Sequence, residues 1–279
     1  MSRLLSADFA KLKKNKFFWL CMAGMAVFAL FMKIMDYVSM REYSGSVPSF
    51  ESLLLIYALV IGFLMAAFVS LFVGTEYSDG TIRNKLIIGH TRVSIYLSNL
   101  ITCFAAGVMM CLAYLIPALA VSALLCRSDS TDFRMLLLMI LYSFVLTLAF
   151  TSLYTLAGMI CQNKALTAVI TILVICFFSV ASIYISAKLN EPETYPEISA
   201  LADGRTVTSA RQVPNPGYVR GTQREVYQFL NDFLPTGQSV ILTRGDTEAS
   251  TPLLPVYSAC IAVAASGIGI FIFRKQDIK

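Results

Sequence analysis

The chain has 279 residues, of which 57% are hydrophobic and only 14% are charged, and its formal net charge is +5. Such a composition excludes a soluble globular domain and is typical of a protein that lies in a membrane. We therefore expect membrane lipid around the chain and no nucleic acid as a partner.

Six apolar segments are each long enough to cross a hydrocarbon core of about 30 Å as a helix. Membrane β-strands would be alternating segments of only about ten residues, which excludes a closed barrel. The sequence therefore predicts an all-α polytopic membrane protein. The predicted transmembrane helices are Phe17–Met35, Leu53–Thr75, Leu100–Cys126, Met135–Cys161, Leu166–Ala187 and Pro252–Phe273.

Residues 1–16 precede the first apolar segment and form a predicted amphipathic helix. Leu5, Phe9 and Leu12 share one face, and several Lys residues lie around the other side. This pattern is typical of a helix in the headgroup layer, and a basic stretch that merely fixes the topology is the alternative. The apolar segment that follows is longer than the core of a secretory signal and has no small-residue cleavage site. We therefore expect it to be retained as a transmembrane helix.

The distribution of Lys and Arg predicts the orientation of the chain. With the N-terminus inside, the inner segments carry twelve Lys and Arg residues, whereas the short outer loops carry only Arg41, Arg127 and Arg134. Cytoplasmic segments are the ones enriched in basic residues. We therefore expect both termini in the cytoplasm and the long segment 188–251 outside.

The most distinctive polar stretch, 76–92, lies between the second and third predicted transmembrane helices and reads EYSDGTIRNKLIIGHTR. It starts with a turn signal at 78–80. It continues as a helix of one to two turns, with Ile82 and Leu86 on one face, until Gly89 ends it. A second helical start at 91–94 runs directly into the next transmembrane helix. A short helix that projects from a membrane bundle in this way can dock on a soluble partner.

The two apolar residues of this short helix support a specific hypothesis. On a cytoplasmic helix, Ile82 and Leu86 cannot be buried in lipid. We expect them to be exposed and to anchor in a groove of a partner, with Arg83 and Lys85 beside them and acids of the preceding turn holding the helix in place. The alternative is that Ile82 and Leu86 pack back against the inner ends of the transmembrane helices.

Segment 188–251 is the only sizeable soluble part of the chain. The spacing Thr222-x-x-Glu225 predicts a capping box at the start of a helix that Pro235 ends. A segment with one short helix is too small for a core of its own, so we expect an outer cap that packs on the bundle.

Motifs for several kinds of chemistry are missing from the sequence. It contains no G-x-x-x-x-G-K-[ST] phosphate loop, no H-E-x-x-H and no G-x-S-x-G, and its single His cannot form a metal site. The predicted transmembrane helices hold almost no ionisable groups, and Lys33 lies near an outer helix end from which it can snorkel to the headgroups. Ion-coupled carriers need buried acids or His, so we expect the energy for any transport to come from outside this chain.

The stretch E-Y-S-D-G-T-I-R-N-K-L at Glu76–Leu86, followed by Arg92, resembles the loop after the second transmembrane helix of type-2 ABC transporter permeases. The ending F-R-K-Q-D-I-K at Phe273–Lys279 is similar to the basic tail of these permeases, and the six-helix plan with a long fifth outer segment also agrees. The resemblance covers nearly the whole chain. It implies the membrane subunit of a bacterial exporter in the cytoplasmic membrane, a transport subunit and not an enzyme.

The resemblance also implies partners and a site. The stretch would contain a coupling helix that inserts into a groove of a separate ABC ATPase. Two ATPase copies would serve two permease copies, either two of this chain or this chain with a paralogue. ATP and magnesium would bind to the ATPase, and this chain would hold no cofactor. The implied ATPase-coupling residues are Glu76, Asp79, Gly80, Thr81, Ile82, Arg83, Lys85, Leu86 and Arg92.

The expected organisation has three parts. Residues 1–187 form the N-terminal interfacial helix, five transmembrane helices and the coupling loop 76–99. Residues 188–251 form the outer segment. Residues 252–279 form the last transmembrane helix and the basic cytoplasmic tail.

The cargo is less defined than the architecture. Many permeases of this layout export peptides or confer resistance to antimicrobial peptides, and apolar helices with rows of Ser and Thr fit a hydrophobic or amphipathic cargo of this kind. Such rows are also typical of helix packing. They comprise Ser179, Ser182 and Ser186, and Thr147, Thr151 and Thr155. Two other classes remain as alternatives: an ATP-independent channel or carrier, and a membrane anchor or sensor that docks a signalling protein.

Overall fold

The computed structural model describes residues 1–126, 132–200, 206–244 and 251–276 as ten helices, one 3₁₀ turn and one β-hairpin. The helices are α1 (Ser2–Lys14), α2 (Lys16–Ser44), α3 (Tyr57–Ser78), α4 (Thr81–Ile87), α5 (Arg92–Leu125), α6 (Phe133–Cys161), α7 (Lys164–Leu189), α8 (Thr222–Phe233), α9 (Pro235–Arg244) and α10 (Leu254–Lys275). Six of them, α2, α3, α5, α6, α7 and α10, are long and apolar enough to cross a membrane. The predicted plan of six transmembrane helices is confirmed.

Helix α3 lies at the centre of the bundle, where it packs on α6 and α7. Small residues on α3 let the neighbouring backbones come close, which is how helices associate in a medium as apolar as their own side chains. At Gly74 an added Cβ would lie only 2.5 Å from the Cα of Lys164, the first residue of α7. The end of α3 and the start of α7 are therefore in backbone contact.

Helix α5 begins in the polar stretch and continues through the membrane. The second helical start predicted at 91–94 is confirmed, because α5 is one helix from Arg92 to Leu125 despite Pro117 in its interior. Its 34 residues span about 51 Å at 1.5 Å per residue, more than the hydrocarbon core requires. The polar stretch 76–92 is therefore directly continuous with a long transmembrane helix.

Lys33 does not snorkel to the headgroups as expected. Its side chain is 0% exposed, and its amine donates hydrogen bonds to the backbone carbonyl of Phe50 at 3.2 Å and to that of Ser52. These carbonyls belong to the turn before α3, where the Tyr114 hydroxyl also donates to the Leu53 carbonyl at 2.8 Å. Inward-facing carbonyls need donors from the bundle, and Lys33 and Tyr114 provide them.

The segment between α7 and α10 enters the bundle, so the outer cap predicted there is only part of it. Strand β1 (Thr194–Ala200) pairs antiparallel with β2 (Thr206–Pro214), and α8 and α9 follow. The first turn of α9 is buried: Thr236 donates to the Phe178 carbonyl at 3.1 Å and pairs with the Ser182 hydroxyl at 2.6 Å. Phe178 lies eleven residues before the end of α7, so the α8–α9 turn reaches about 16 Å below that end.

The start of α8 also corrects a prediction. The helix begins at Thr222 with Gly221 as its N-cap, so the expected Thr222–Glu225 capping box does not form. The predicted stop is confirmed, since α8 ends at Phe233 and Pro235 opens the next helix. Proline is suited to that position because the first turn of a helix needs no amide donor.

Three residues of the Ser and Thr rows, Thr147, Thr151 and Ser182, have hydroxyls that are hydrogen-bonded within the bundle, whereas the buried Thr155 hydroxyl has no partner in the described part of the chain. The hydroxyls of Thr147 and Thr151 each donate to the carbonyl four residues earlier, at 2.8 and 2.7 Å. Both side chains are fully buried, as is Ser182, which is bonded to Thr236. Hydroxyls satisfied in this way are not available to a cargo.

The close contact at Gly74 generates a test of the fold. Replacing Gly74 with Ala should lower the midpoint of thermal unfolding, because the methyl group overlaps the Lys164 backbone and overpacking of this kind costs about 1–3 kcal/mol. Gly24→Ala is the matched control, because no atom lies within 4 Å of its added Cβ. Equal midpoints for the two purified variants would contradict the contact between α3 and α7.

The candidate coupling site

Helix α4 occupies the position expected for the short docking helix. Helix α3 ends at Ser78, and the Asp79 amide still donates to the Thr75 carbonyl at 2.9 Å. Gly80 then takes a left-handed conformation with φ 65°, which a side chain would strain, and Thr81 opens α4. The predicted turn and short helix are confirmed.

One face of α4 is directed into the bundle. Ile82 is 1% exposed and Lys85 is 8% exposed, and Leu86 on the same face is partly buried against the core. The expectation that Ile82 is an exposed anchor is therefore wrong, and the alternative that it packs back on the transmembrane helices is confirmed. Residues three and four apart share a helix face, and this face gains more by covering the apolar ends of the neighbouring helices than by facing water.

The opposite face of α4 carries a different apolar pair. Ile87 is 75% exposed and Ile88 is 77% exposed, and Arg83 and Asn84 lie one turn before them. We call these four residues, Arg83, Asn84, Ile87 and Ile88, the exposed face of α4. The sequence did carry a signal for this face, because two isoleucines stand directly before Gly89. The prediction overlooked them because Ile82 and Leu86 already formed one apolar face.

Lys85 is the centre of a buried group of charges. Its amine lies 2.8 Å from Asp8 Oδ1 on α1, and 2.9 and 3.0 Å from the two carboxylate oxygens of Glu76 on α3. Burial lowers the pKa of the Lys85 amine, but the charge of Glu76 and the hydrogen bonds to both carboxylates raise it more, so this pKa lies above its ordinary value. The stabilisation from Lys85 is therefore complete below about pH 10.4 and is lost only as the pH rises through the pKa of the folded state.

Neutral side chains complete the hydrogen bonding of the two acids. The Ser98 hydroxyl donates to Asp8 Oδ2 at 2.5 Å, and the Asn99 amide donates to Glu76 Oε2 at 2.9 Å. Lys11, which is partly exposed, adds a contact of 3.4 Å to Glu76. The buried ion cluster is defined as Asp8, Lys11, Glu76, Lys85, Ser98 and Asn99. It joins four elements, α1, α3, α4 and α5.

Four of these residues were missed by the sequence reasoning: Asp8, Lys11, Ser98 and Asn99. A signal existed for Asp8, because Leu4, Asp8 and Leu12 follow one another at four-residue spacing and form the buried face of α1. A carboxylate on the apolar face of a helix is buried with that face, so it needs a cation as a partner. The predicted N-terminal helix is present, but it packs on α5 through Leu4, Asp8 and Leu12, and Leu5 and Phe9 of the predicted apolar face are only partly buried.

Arg92 belongs to a separate contact. Its guanidinium donates to the Phe273 carbonyl at 2.8 Å and to the Gln276 carbonyl, both at the C-terminal end of α10. The last carbonyls of a helix have no partner within it, so a cation satisfies them and also interacts well with the helix dipole. The start of α5 is thereby attached to the end of the last transmembrane helix. The tail residues 277–279, which contributed to the resemblance, lie outside the described residues.

The buried ion cluster and the Arg92 contact connect helices to one another and do not form a reaction centre in the described part of the chain. Across residues 1–126, 132–200, 206–244 and 251–276, no group of three or more His, Cys, Asp or Glu side chains could hold a metal ion. The two carboxylates of Asp8 and Glu76 are already balanced by the two amines of Lys85 and Lys11. The site can hold α4 rigidly against the bundle while its exposed face stays free for contact.

Comparison with known proteins gives one match. A family model described as ABC-2 family transporter protein matches residues 4–185, which include α4 and all residues of the buried ion cluster. No curated protein matches the chain.

Removing the charge at Lys85 should destabilise the protein strongly. In Lys85→Met, Asp8 stays buried without a cation and Glu76 keeps only Lys11 at 3.4 Å, and leaving a buried charge without its partner typically costs about 3–5 kcal/mol. Arg83→Met removes an exposed charge two residues away and should change the free energy of unfolding by less than about 0.5 kcal/mol. Denaturant unfolding of the purified variants measures the difference, and a Lys85→Met protein as stable as Arg83→Met would contradict the cluster.

Proposed function

The chain belongs to the ABC-2 family of transporter proteins, whose members are membrane transport subunits. We propose that it is the permease of an ATP-driven exporter and that α4 couples it to a separate ABC ATPase. The observation that carries this proposal is the two-sided character of α4. One face is bonded to the bundle by Lys85, and the other presents two isoleucines that nothing covers in the described part of the chain.

The coupling residues divide into three roles in this proposal. The exposed face of α4 contacts the ATPase, where burying Ile87 and Ile88 would contribute about 1.5–3 kcal/mol each and Arg83 can meet acids at the rim of the groove. Ile82, Leu86, Lys85 and Glu76 transmit the motion of α4 to the bundle. Asp79, Gly80 and Thr81 shape the turn, and Arg92 extends the connection to α10.

The proposed assembly contains two permease copies and two ATPase copies in a bacterial cytoplasmic membrane. ATP and magnesium bind to the ATPase. Both termini and α4 face the cytoplasm, and residues 188–251 enter from the outer side. The excess of Lys and Arg in the inner segments supports this orientation. Broad exposed apolar surfaces, such as that of α2, fit contact with lipid or with a second permease copy.

The docking role is tested by replacing both exposed isoleucines with Asp. The Ile87→Asp/Ile88→Asp variant should insert normally but lose capture of the ATPase from cells that produce both subunits, because charged side chains replace the apolar contact. Val213→Asp is the matched control, since Val213 is an exposed apolar residue on β2 at the other end of the molecule. Undiminished capture by the double variant would overturn the docking role. Differently tagged permease copies in the same preparation would report whether two copies assemble.

The proposed cargo is a hydrophobic or amphipathic molecule, with an antimicrobial peptide as the first candidate. Support comes from the bundle interior, where the charges at Lys33 and Glu76 are held by buried partners. Cells that lack the permease should become more sensitive to amphipathic cationic peptides or retain such a peptide. A change confined to ion gradients or surface polysaccharide would contradict the peptide assignment.

A further inference from the structure

A cavity of about 410 Å³ lies between α6, α7, α10 and the α8–α9 turn. Helix α6 forms its back wall with Leu153, Tyr154 and Ala157. Helix α7 forms one side, where Ile170, Val174 and Phe178 are partly exposed at its edge, and Ile261 of α10 forms the other side. The α8–α9 turn, from Phe233 to Thr236, closes one end. The cavity is thus a pocket in the side of the bundle with its mouth between α7 and α10.

The position of the cavity along the helices matches one leaflet of a bilayer. Ala157 lies four residues from the α4-side end of α6, and Phe178 lies fourteen residues from the α4-side end of α7. At 1.5 Å per residue the cavity extends from about 6 Å to about 21 Å below those ends. This length of about 15 Å is half of a hydrocarbon core of about 30 Å. The α8–α9 turn therefore closes the cavity near the middle of the membrane.

The walls of the cavity offer no hydrogen bond to a ligand at Thr171 or Thr236. The Thr171 hydroxyl donates to the Thr167 carbonyl at 2.8 Å, and Thr236 is bonded to Phe178 and Ser182. The other wall residues have hydrocarbon side chains, except that Tyr154 also carries a hydroxyl. A ligand within the cavity must be apolar over its whole buried length, so any polar group it carries has to remain outside.

Cations lie at the end of the cavity where such a polar group would emerge. Helix α7 begins with Lys164, and α10 ends with Arg274 and Lys275, all three of them exposed. The two helix ends are held on the same side of the bundle, since the Gln276 amide donates to the Ile160 carbonyl at the end of α6 at 2.9 Å. The mouth between α7 and α10 is therefore flanked by positive charge at the level of the headgroups.

We propose that this cavity binds one acyl chain of an anionic phospholipid from the leaflet on the α4 side, with its headgroup at Lys164, Arg274 and Lys275. The cavity has the length of one leaflet, an apolar interior and cations at its outer end, which together fit an anionic lipid. The inference uses only the position of the chain in a membrane and does not depend on docking of an ATPase.

Photo-crosslinking of the purified protein in lipid nanodiscs tests the proposal. The probe is phosphatidylglycerol with a diazirine in one acyl chain, diluted into phosphatidylcholine, and the adducts are mapped by peptide mass spectrometry. We expect an adduct on the back wall at Leu153–Ala157. Ala157→Trp fills the cavity and should lower this adduct by about tenfold, while adducts on exposed residues of α2 stay unchanged. Ala23→Trp, on an exposed position of α2, is the matched control and should leave the wall adduct intact.

Two further arms test the chemistry of the ligand. Lys164→Gln/Arg274→Gln should lower the wall adduct formed by phosphatidylglycerol but not the weaker one formed by diazirine-bearing phosphatidylcholine. No wall adduct in the native chain, or an adduct that Ala157→Trp leaves unchanged, would overturn the site. Equal labelling by the two lipids would overturn the preference for an anionic headgroup, and labelling only by a diazirine-bearing hydrophobic peptide would replace the lipid with a peptide. Ala157→Trp should still capture the ATPase, so failure of this site and failure of the docking role are distinguishable.

Discussion

The ion pair of Lys85 with Asp8 and Glu76 is the interaction on which the α4 side of this protein depends. Each charge is nearly removed from water, and each carboxylate also accepts a hydrogen bond, from Ser98 or Asn99. A buried charge that loses its partners is costly, whereas a fully bonded one is tolerated. Helix α4 therefore cannot move away from α1, α3 and α5 without a large energetic penalty. A partner that pushes or pulls on α4 acts on all four elements at once.

Two further contacts extend this connection through the molecule. Arg92 attaches the start of α5 to the end of α10, and the Gly74–Lys164 contact attaches the end of α3 to the start of α7. On the far side, Thr236 attaches the α8–α9 turn to α7 in the middle of the bundle. Motion at α4 thus has a continuous packed path to the α8–α9 turn and to the cavity that this turn closes. A lipid chain in that cavity would lie beside the same path.

The sequence predicted the transmembrane helices, the short helix α4 and the continuous α5, because these follow from local periodicity and from Gly80 and Gly89. It did not predict the buried ion cluster, since Asp8 and Lys85 are 77 positions apart and their contact is a tertiary one. For the same reason the prediction of which face of α4 contacts the bundle was wrong. A seven-residue helix with apolar side chains on both faces carries no local signal for which face the bundle will cover, and Lys85 settles it by joining Ile82 on the buried side.

The local sequence pattern also could not predict how deep the α8–α9 turn lies in the bundle. Pro235 marked the break between two helices, but only the contacts of Thr236 with α7 show that the break lies within the bundle. Gly237 permits this placement, because an added Cβ there would lie 2.1 Å from the Asn231 carbonyl oxygen. The spacing of polar residues in 188–251 suited a surface cap equally well, so the sequence alone favoured the simpler arrangement.

Amide hydrogen exchange tests most directly whether α4 is held to the bundle as one unit by Lys85. In the native chain the amides of α4 and α1 should be protected together, since they share the buried ion cluster. Lys85→Met should raise exchange in both helices in parallel, and Arg83→Met should leave both unchanged. If Lys85→Met left α4 as protected as in the native chain, or loosened α4 without α1, the claim that Lys85 joins them would be contradicted.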